Sequence, residues 1–310
     1  MLLVLLFGSA CGEKQPPPPP QFRTALLLDR GAAQNPLRRA AVVGMERIRS
    51  ELHAGVVIQV ATSGQEQRRR LRALAAQQRN LVFCMLPGLG YVVTEEAAAY
   101  PDSWFVAIGG KGPQGNVAAM SFQMEDAGYL AGVLAATVSP AEVAGVLGGG
   151  GGSPFFDRAE SGFRSAFEAK RRRGRVLSAD GADGVDELRS EGVEVALYPA
   201  ERAEQAVLER CRKTGLRLVV ADAAAAKEFP HVVLATLVLD LPEAMVRVAQ
   251  EAWAGTLEGK TYSFDLGSGV VDLRPTPGSA AVTDPRVVEA LTRARADVTA
   301  GIVEIEELGW

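Results

Sequence analysis

The sequence predicts an α/β protein built from two lobes, each with a parallel sheet, and three observations lead to this prediction. Short apolar runs alternate with amphipathic helical segments, which is typical of βαβ units whose parallel strands are buried on both faces. The chain has 310 residues, 47% of them hydrophobic and 23% charged, which is enough for two domains. A C-terminal part that follows the second βα series has to return to the first lobe. This predicts several chain crossings and a cleft between the lobes.

The first series of elements covers residues 22–140. We expect its helices in PLRRAAVVGMERIRSEL and GQEQRRRLRALAAQQR, which have apolar residues at helical spacing, in TEEAAAYPD, which Pro101 stops, and in MEDAGYLAGVLAATV. Its predicted strands are the short apolar runs TALLLD, GVVIQVA, LVFCML and SWFVAIG.

The second series begins at Glu142 and continues to about residue 230. Its strands are predicted in AEVAGVLGG, VEVALY and LRLVVAD, and its helices in RAESGFRSAFEAKRR and AERAEQAVLERCRKTG. One more strand and helix, two late strands and a terminal helix follow. We therefore assign 22–140 and about 235–258 to an N-terminal lobe, 141–234 and about 259–283 to a C-terminal lobe, and 284–310 to a C-terminal helix and tail.

The first 21 residues are predicted to be a targeting signal followed by a spacer. Residues 1–10 form an apolar run too short to span a bilayer, and Gly8-Ser9-Ala10-Cys11 resembles the bacterial lipobox, so we expect a signal peptide and a lipidated Cys11. The pattern is incomplete, because Gly8 stands where leucine is usual and no basic residue precedes the run. A frayed apolar N-terminus with a buried cysteine is the alternative. Residues 11–21 include five consecutive prolines, which form a stiff stalk. The folded part is then expected on the periplasmic or extracellular side, anchored to a membrane.

Charge and composition exclude several partners. The net charge of −4 offers no global positive field for nucleic acid. The basic runs 68–72 and 170–175 are interpreted as solvated helix faces and a helix C-terminus. Two histidines exclude a histidine-rich metal site, and we expect no metal and no cofactor. Cys84 and Cys211 are predicted to be buried, and a disulfide between them in an oxidising compartment is the alternative to free thiols.

Five consecutive glycines, Gly148 to Gly152, lie between a predicted strand and a predicted helix. The Ser-Pro that follows them has no lysine of a P-loop, and the G-x-G-x-x-G spacing of a dinucleotide loop fails at Ser153. The remaining interpretation is a strand-to-helix loop at the carboxyl end of a sheet, where ligands bind in open α/β folds. Phe155 and Phe156 either add an aromatic face there or pack under the helix.

Several stretches resemble the basic membrane protein family of substrate-binding lipoproteins, which includes purine nucleoside receptors of ABC importers. They are EEAAAYPDSWFVAI, NVAAMSFQMEDAGYLAGVLAA, AEVAGVLGGGGGSPFFDRAESGFRSAFEA, LEGKTYSFDLGSGVVDL and VTAGIVEI. The resemblance covers about residues 24–305, with a shortened middle. It implies two Rossmann-like lobes of the type I periplasmic-binding-protein fold, no catalysis, and a ligand in the cleft.

The same resemblance suggests a ligand site, although several pocket residues differ from the family pattern. The loop after the first strand has Leu37 where the family has a stacking aromatic, and Leu239 stands where it has a lysine. Asp222 fits the family's ribose-binding acid. With Phe155 and Phe156 of the strand-to-helix loop included, the candidate ligand-binding residues are Asp29, Gln34, Asn35, Tyr91, Glu95, Phe155, Phe156 and Asp222.

These observations favour a monomeric lipoprotein that binds a small polar ligand, with a nucleoside as the candidate, and delivers it to an ABC permease. The alternative is a ligand-free envelope scaffold or interaction protein on the same fold. An enzyme is weakly supported, because no G-x-S-x-G occurs and no Cys–His pair has a recognisable context. A transcriptional regulator would need a helix-turn-helix, and prolines occupy the place where one would precede the lobes.

Overall fold

The computed structural model describes residues 22–29, 35–85, 90–110, 112–148, 155–303 and 305. The predicted signal peptide, Cys11, the stalk, Gln34 and most of the five-glycine loop lie outside these residues. Tyr91 lies in a described helix, but only its backbone is described.

Apolar runs form most of the strands, as their continuous hydrophobicity predicts. The strands in chain order are β1 (Arg23–Asp29), β2 (Gly55–Ala61), β3 (Leu81–Met85), β4 (Trp104–Ile108), β5 (Val117–Phe122), β6 (Val143–Gly148), β7 (Arg175–Asp180), β8 (Val195–Tyr198), β9 (Arg217–Val220), β10 (Val233–Leu239), β11 (Thr261–Phe264) and β12 (Val271–Pro275).

The amphipathic segments form the helices between them. The helices are α1 (Pro36–Glu51), α2 (Gly64–Ala76), α3 (Gly90–Ala97), α4 (Met124–Val138), α5 (Arg158–Lys170), α6 (Gly181–Ser190), α7 (Gln205–Thr214), α8 (Ala223–Glu228), α9 (Leu241–Ala254), α10 (Ala280–Thr283) and α11 (Pro285–Thr299).

Two six-stranded sheets define the two lobes. The first sheet has the order β11-β5-β4-β3-β1-β2, and all its pairs are parallel. The second has the order β12-β10-β9-β8-β6-β7, and it is parallel except for the antiparallel edge strand β12. The predicted fold of two α/β lobes with parallel sheets is therefore confirmed.

The side chains of an inner strand such as β1 pack against helices on both faces of the sheet, because successive side chains point to opposite faces. In β1, Leu26 and Leu28 pack in the cluster that includes residues of α1. Leu27 packs on the other face with Leu71 and Leu74 of α2. The burial of both faces explains why TALLLD has no polar alternation, and it places the carboxyl end of β1 between two helix layers.

The chain crosses between the lobes three times: between β5 and α4, between β10 and α9, and between β11 and β12. Helix α4 leaves the first sheet and packs against β8, β10, β12 and α5 of the second lobe, whereas α9 leaves the second sheet and packs against α1. The crossings are hydrogen-bonded in pairs: the Gln123 N–H donates to the Phe264 carbonyl (2.8 Å), and the Asp240 N–H donates to the Val270 carbonyl (2.8 Å). The predicted crossings exist and lie side by side.

The predicted lobe boundaries differ from this chain path in three elements. The prediction assigns about 235–258 to the N-terminal lobe, but β10 belongs to the second sheet. It assigns about 259–283 to the C-terminal lobe, but β11 belongs to the first sheet. It ends the first lobe at residue 140, but α4 packs on the second lobe. The physical reason is that the crossings fall at the carboxyl ends of strands, so that a strand and the helix after it lie in different lobes.

Two of the elements missing from the sequence-based prediction are β7 and α6. Strand β7 is an edge strand beside β6 and is half exposed, so its sequence RVLSAD lacks the apolar run that marks the inner strands. Helix α6 contains two glycines, which lower helix propensity. Edge position and glycine content therefore hid both elements.

Candidate functional site

The carboxyl ends of both sheets carry five of the eight predicted ligand residues. Asp29 ends β1 and Asn35 precedes α1 in the first lobe, while Phe155 and Phe156 follow β6 and Asp222 follows β9 in the second. Carboxyl ends of parallel strands meet at one edge of each sheet, where open α/β folds bind ligands. The structure brings Asn35 of the first lobe into direct contact with the second lobe.

Asp29 is engaged by a cation from the next helix. The Arg38 guanidinium, on the first turn of α1, forms a salt bridge with the Asp29 carboxylate and donates a hydrogen bond to the Asp29 carbonyl. Both side chains are mostly buried, with 13% of Arg38 and 22% of Asp29 exposed. Burial lowers the pKa of Arg38, and the charge of Glu201 acts in the opposite direction. The charge of Asp29, at the end of β1, is thus balanced by the Arg38 guanidinium.

Asn35 has two structural partners. Its Oδ1 accepts the Arg38 N–H at 3.0 Å, which caps α1, and Pro36 follows at the first helical position. Its Nδ2 donates to Glu201 Oε2 at 2.5 Å. Glu201 lies between β8 and α7, so this hydrogen bond joins the two lobes.

Glu201 belongs to this candidate site and is not among the residues predicted from the sequence. It lies in YPAERAEQ, which offered no match to the family pattern, and a polar residue just after a buried strand was the available signal. Burial raises the pKa of Asp157, and the charges of Glu160 and Glu201 raise it further. The Glu201 carboxylate is therefore close to Asp157. Glu201 thus lies near a like charge of its own lobe, and near the Asn35 amide donor and the Arg38 charge of the other lobe.

The two phenylalanines have different environments. Phe156 is buried, with 4% of its surface exposed, and packs in the core. Phe155 reaches the first lobe, where its ring centroid lies 5.9 Å from that of Phe122. A Cβ at Gly109, at the end of β4, would lie 2.7 Å from Phe155 Cε1, and Gly109 has φ +72°. Glycine at this position therefore allows the aromatic ring to approach the backbone.

Asp222 and Glu95 are also held by protein groups. Asp222 Oδ1 accepts the Ala224 N–H at 2.8 Å, which caps α8, and its Oδ2 accepts the Ala203 N–H at 3.1 Å. A groove of about 660 Å³ lies beside Asp222, between the starts of α7 and α8. Glu95 forms an ion pair of 2.9 Å with Arg68 of α2. The ligand-binding role of the eight predicted residues stays a prediction.

Two further observations concern the described part of the chain. None of its helices is long and apolar enough to cross a membrane. It contains no group of three or more histidine, cysteine, aspartate or glutamate side chains placed to hold a metal ion.

The fold and the site together define a class: two-lobed α/β binding proteins, in which polar and aromatic side chains at the carboxyl ends of two sheets face each other across the chain crossings. The family model of ABC transporter substrate-binding proteins, PnrA-like (Bmp), matches residues 23–172. This match confirms the predicted resemblance to the basic membrane protein family over those residues, and it supports a substrate-binding protein.

One curated relative is similar in sequence, and solved structures share the fold. The chain is 28% identical over 184 residues to the transcriptional activator protein Med of Bacillus subtilis, and this alignment spans 56% of each chain. A crystal structure of a transcriptional activator of the comK gene from Bacillus halodurans has a TM-score of 0.74 at 24% identity, over 89% of this chain and 96% of that one. An ABC transporter solute-binding protein from Conexibacter woesei has a TM-score of 0.70 at 18% identity, over 92% and 99%. At these identities the two structures show the fold alone.

Proposed function

We propose that this protein is a membrane-anchored solute-binding lipoprotein that takes up a small polar ligand between its lobes for an ABC importer. The observation that supports this best is the approach of Asn35 and Glu201, which come from different lobes and lie at the carboxyl ends of both sheets. Side chains in this position contact whatever enters between the lobes. The Bmp family match provides the importer context.

A nucleoside is the candidate ligand. Family resemblance suggests it, and Phe155 offers an aromatic ring near the first lobe. Stacking on one aromatic face contributes about 1–3 kcal/mol. Leu37 in place of the family's stacking aromatic lowers the expected affinity, since 1.4 kcal/mol corresponds to about a factor of ten.

Thermal denaturation with a solute panel tests the ligand. A solute at about 100 times its Kd stabilises the folded state by about 2.7 kcal/mol, which raises the Tm measurably. The panel contains purine and pyrimidine nucleosides, sugars and amino acids, added to the chain without its proposed signal peptide. A Tm that no nucleoside changes would remove the nucleoside, and a Tm that no solute changes would count against solute binding.

Matched variants locate the binding. Asp29→Asn and Asp186→Asn each remove a carboxylate paired with an arginine, Arg38 in the first case and Arg210 in the second. Asp186 lies on α6, on the second lobe's surface. We expect Asp29→Asn to weaken the Tm shift of an active solute and Asp186→Asn to leave it unchanged. Equal effects would place the solute elsewhere.

The anchor has its own test. Cells that express the full chain are labelled with radioactive palmitate, and the protein is isolated. We expect Cys11→Ser to abolish the label and Cys84→Ser to retain it, because the Cys84 side chain is buried in the first sheet. Label on the Cys11→Ser protein would contradict lipidation at this position.

A ligand-free scaffold is the second candidate, and a specific observation favours it. The polar groups of Asp29, Asn35, Glu95 and Asp222 all have protein partners. A Bacillus subtilis protein similar in sequence and a Bacillus halodurans structure with this fold are both named transcriptional activators. Under this candidate the solute panel leaves the Tm unchanged, and crosslinking in intact cells captures a protein partner on the anchored chain.

A further inference from the structure

The contact between Asn35 and Glu201 joins the lobes at a point remote in sequence from the three crossings. The same Asn35 side chain caps α1 through Oδ1 and reaches the second lobe through Nδ2. Because the cap fixes the asparagine at the start of α1, its amide is held in place for Glu201. The interlobe hydrogen bond therefore needs little additional ordering of the first lobe.

The charges around Glu201 favour contact with the first lobe. On its own lobe, Asp157 is close enough for its pKa to be raised by the Glu201 charge. On the first lobe, the Arg38 guanidinium is close enough for its pKa to respond to Glu201 with the opposite sign. Separation of the lobes would leave Glu201 with a like charge and remove an amide donor and a nearby cation.

A second, apolar contact acts in the same direction. Phe155, which precedes α5 in the second lobe, packs on Gly109 and on Phe122 at the carboxyl ends of β4 and β5. Opening the lobes at this point would expose the faces of two aromatic rings to water. The polar and apolar contacts together bind the lobes at two places outside the crossings.

We propose that the Asn35–Glu201 contact, with the Arg38 charge nearby, forms an interlobe latch that holds the cleft closed through contacts of the protein itself. A solute then enters by replacing the first-lobe partners of Glu201. The latch rests on the proposed function and extends it. A solute binds only if its contacts with the lobes are more favourable than the latch contacts that it replaces. The contacts themselves do not depend on that function, because lobes that bind no solute can be latched equally.

Asn35 variants test the latch without disturbing the helix cap. Serine and aspartate cap helices about as well as asparagine. Asn35→Ser retains the cap and removes the donor to Glu201. Asn35→Asp retains the cap and sets a carboxylate against Glu201. We expect the cleft to be most open in Asn35→Asp, less open in Asn35→Ser and least open in the parent chain.

The opening is measured as a distance distribution between two spin labels by pulsed electron paramagnetic resonance. The labels are placed on cysteines introduced at the exposed positions Arg69 on α2 and Lys213 on α7, in the full chain carrying Cys11→Ser. The native Cys84 and Cys211 are buried and do not compete for the label. Longer distances in Asn35→Asp and in Glu201→Ala, with none in the exposed-site control Glu228→Ala, support the latch.

An unchanged distribution in Asn35→Asp and Glu201→Ala would overturn the proposal. A far-ultraviolet circular dichroism melt of each variant shows whether it is folded, so that an unfolded variant is recognised. The experiment uses no solute, and a negative solute panel therefore leaves its outcome unaffected. Conversely, a solute that raises the Tm while the distances stay short in every variant supports the binding function and contradicts the latch.

Discussion

Asp222 illustrates how one side chain can fit both a ligand site and a structural role. Its two carboxylate oxygens accept the N–H groups of Ala224 and Ala203. Removal of a helix cap costs about 1 kcal/mol, whereas asparagine caps about as well as aspartate. We expect Asp222→Ala to lower the free energy of unfolding by about 1 kcal/mol and Asp222→Asn to change it much less. Urea unfolding measures both.

The same pair of variants separates the two roles. If Asp222 accepts hydroxyl groups of a solute, Asp222→Asn loses affinity for that solute at nearly unchanged stability. If the carboxylate only holds α8 and the chain before α7, Asp222→Asn binds the solute as the parent does. Equal stability losses in both variants would contradict the cap.

Cys84 and Cys211 are predicted to be unreactive in the folded protein. They are 1% and 0% exposed and lie in different lobes. Burial raises the pKa of each thiol to about 12, so the reactive thiolate is scarce near neutral pH. In a Cys11→Ser chain we expect a thiol reagent to modify neither residue at pH 8 and both after unfolding in guanidinium chloride.

A surface thiol provides the control for this experiment. Ser190→Cys, at the exposed end of α6, should react at once in the folded chain. Rapid modification of a second or third thiol in the folded protein would contradict the burial of Cys84 or Cys211.

Residue types alone predicted where several candidate residues lie in the fold, but not which groups they contact. Asp29 and Asp222 follow apolar strands, and this position reliably indicates the carboxyl edge of a sheet. The sequence could not show that Arg38 neutralises Asp29 or that Glu201 meets Asn35. The Asn35–Glu201 pair is separated by 166 residues and depends on how two lobes face each other.

Helices α4 and α5 pack with their backbones in close contact, and glycines make this possible. A Cβ at Gly162 of α5 would lie 1.9 Å from the Glu125 carbonyl oxygen, and one at Gly128 of α4 would lie 1.9 Å from the Ala159 carbonyl oxygen. These are backbone atoms, which cannot move as a side chain end can. The pair connects the first crossing to the second lobe.

We expect Gly162→Ala to destabilise the protein strongly. Overpacking of a core usually costs about 1–3 kcal/mol and occasionally more, and this site belongs to the severe cases because the clash is with backbone. The matched control is Gly64→Ala at the start of α2, where a Cβ meets no atom within 4 Å. Chemical denaturation should show a large loss for the first variant and none for the second. Similar stabilities would mean that the helices are further apart.

Elements with a strong pattern were the ones predicted correctly. The predicted helix MEDAGYLAGVLAATV is α4, from Met124 to Val138, because it is apolar almost throughout and buried on nearly all sides. Its lobe was wrong, because the pattern of a helix does not indicate which sheet it covers. Strand β7 was missed for the opposite reason, since an edge strand buries only part of its surface.

The three crossings make the two lobes one molecule and carry a titratable group. Asp126, at the start of α4, accepts the Leu266 N–H at 3.1 Å and so ties the first crossing to the third. Burial, followed by the charge of Asp265, raises the pKa of Asp126, while the Leu266 N–H and Arg158 act in the opposite direction. Near neutral pH the ionised Asp126 carboxylate is therefore less favourable in the folded protein than in the unfolded chain.

This environment predicts a pH-dependent effect of Asp126→Asn. With a raised folded pKa, the group stabilises the folded state below its unfolded pKa of about 3.9, and this contribution is lost as the pH rises through the folded pKa. Asparagine can accept the Leu266 N–H and carries no charge. We expect the variant to be more stable than the parent at pH 7, and its advantage to shrink as the pH falls towards 4.

A surface pair supplies a control of the opposite sign for the urea titrations at each pH. Arg210 lowers the pKa of Asp186, so that carboxylate stabilises the folded state above its unfolded pKa and loses this contribution as the pH falls. Asp186→Asn should thus be slightly less stable than the parent at pH 7, with the difference vanishing in acid. If Asp126→Asn were instead less stable than the parent at pH 7, with the difference vanishing in acid, the Asp126 carboxylate would stabilise the folded state. That result would contradict the raised pKa that we attribute to burial.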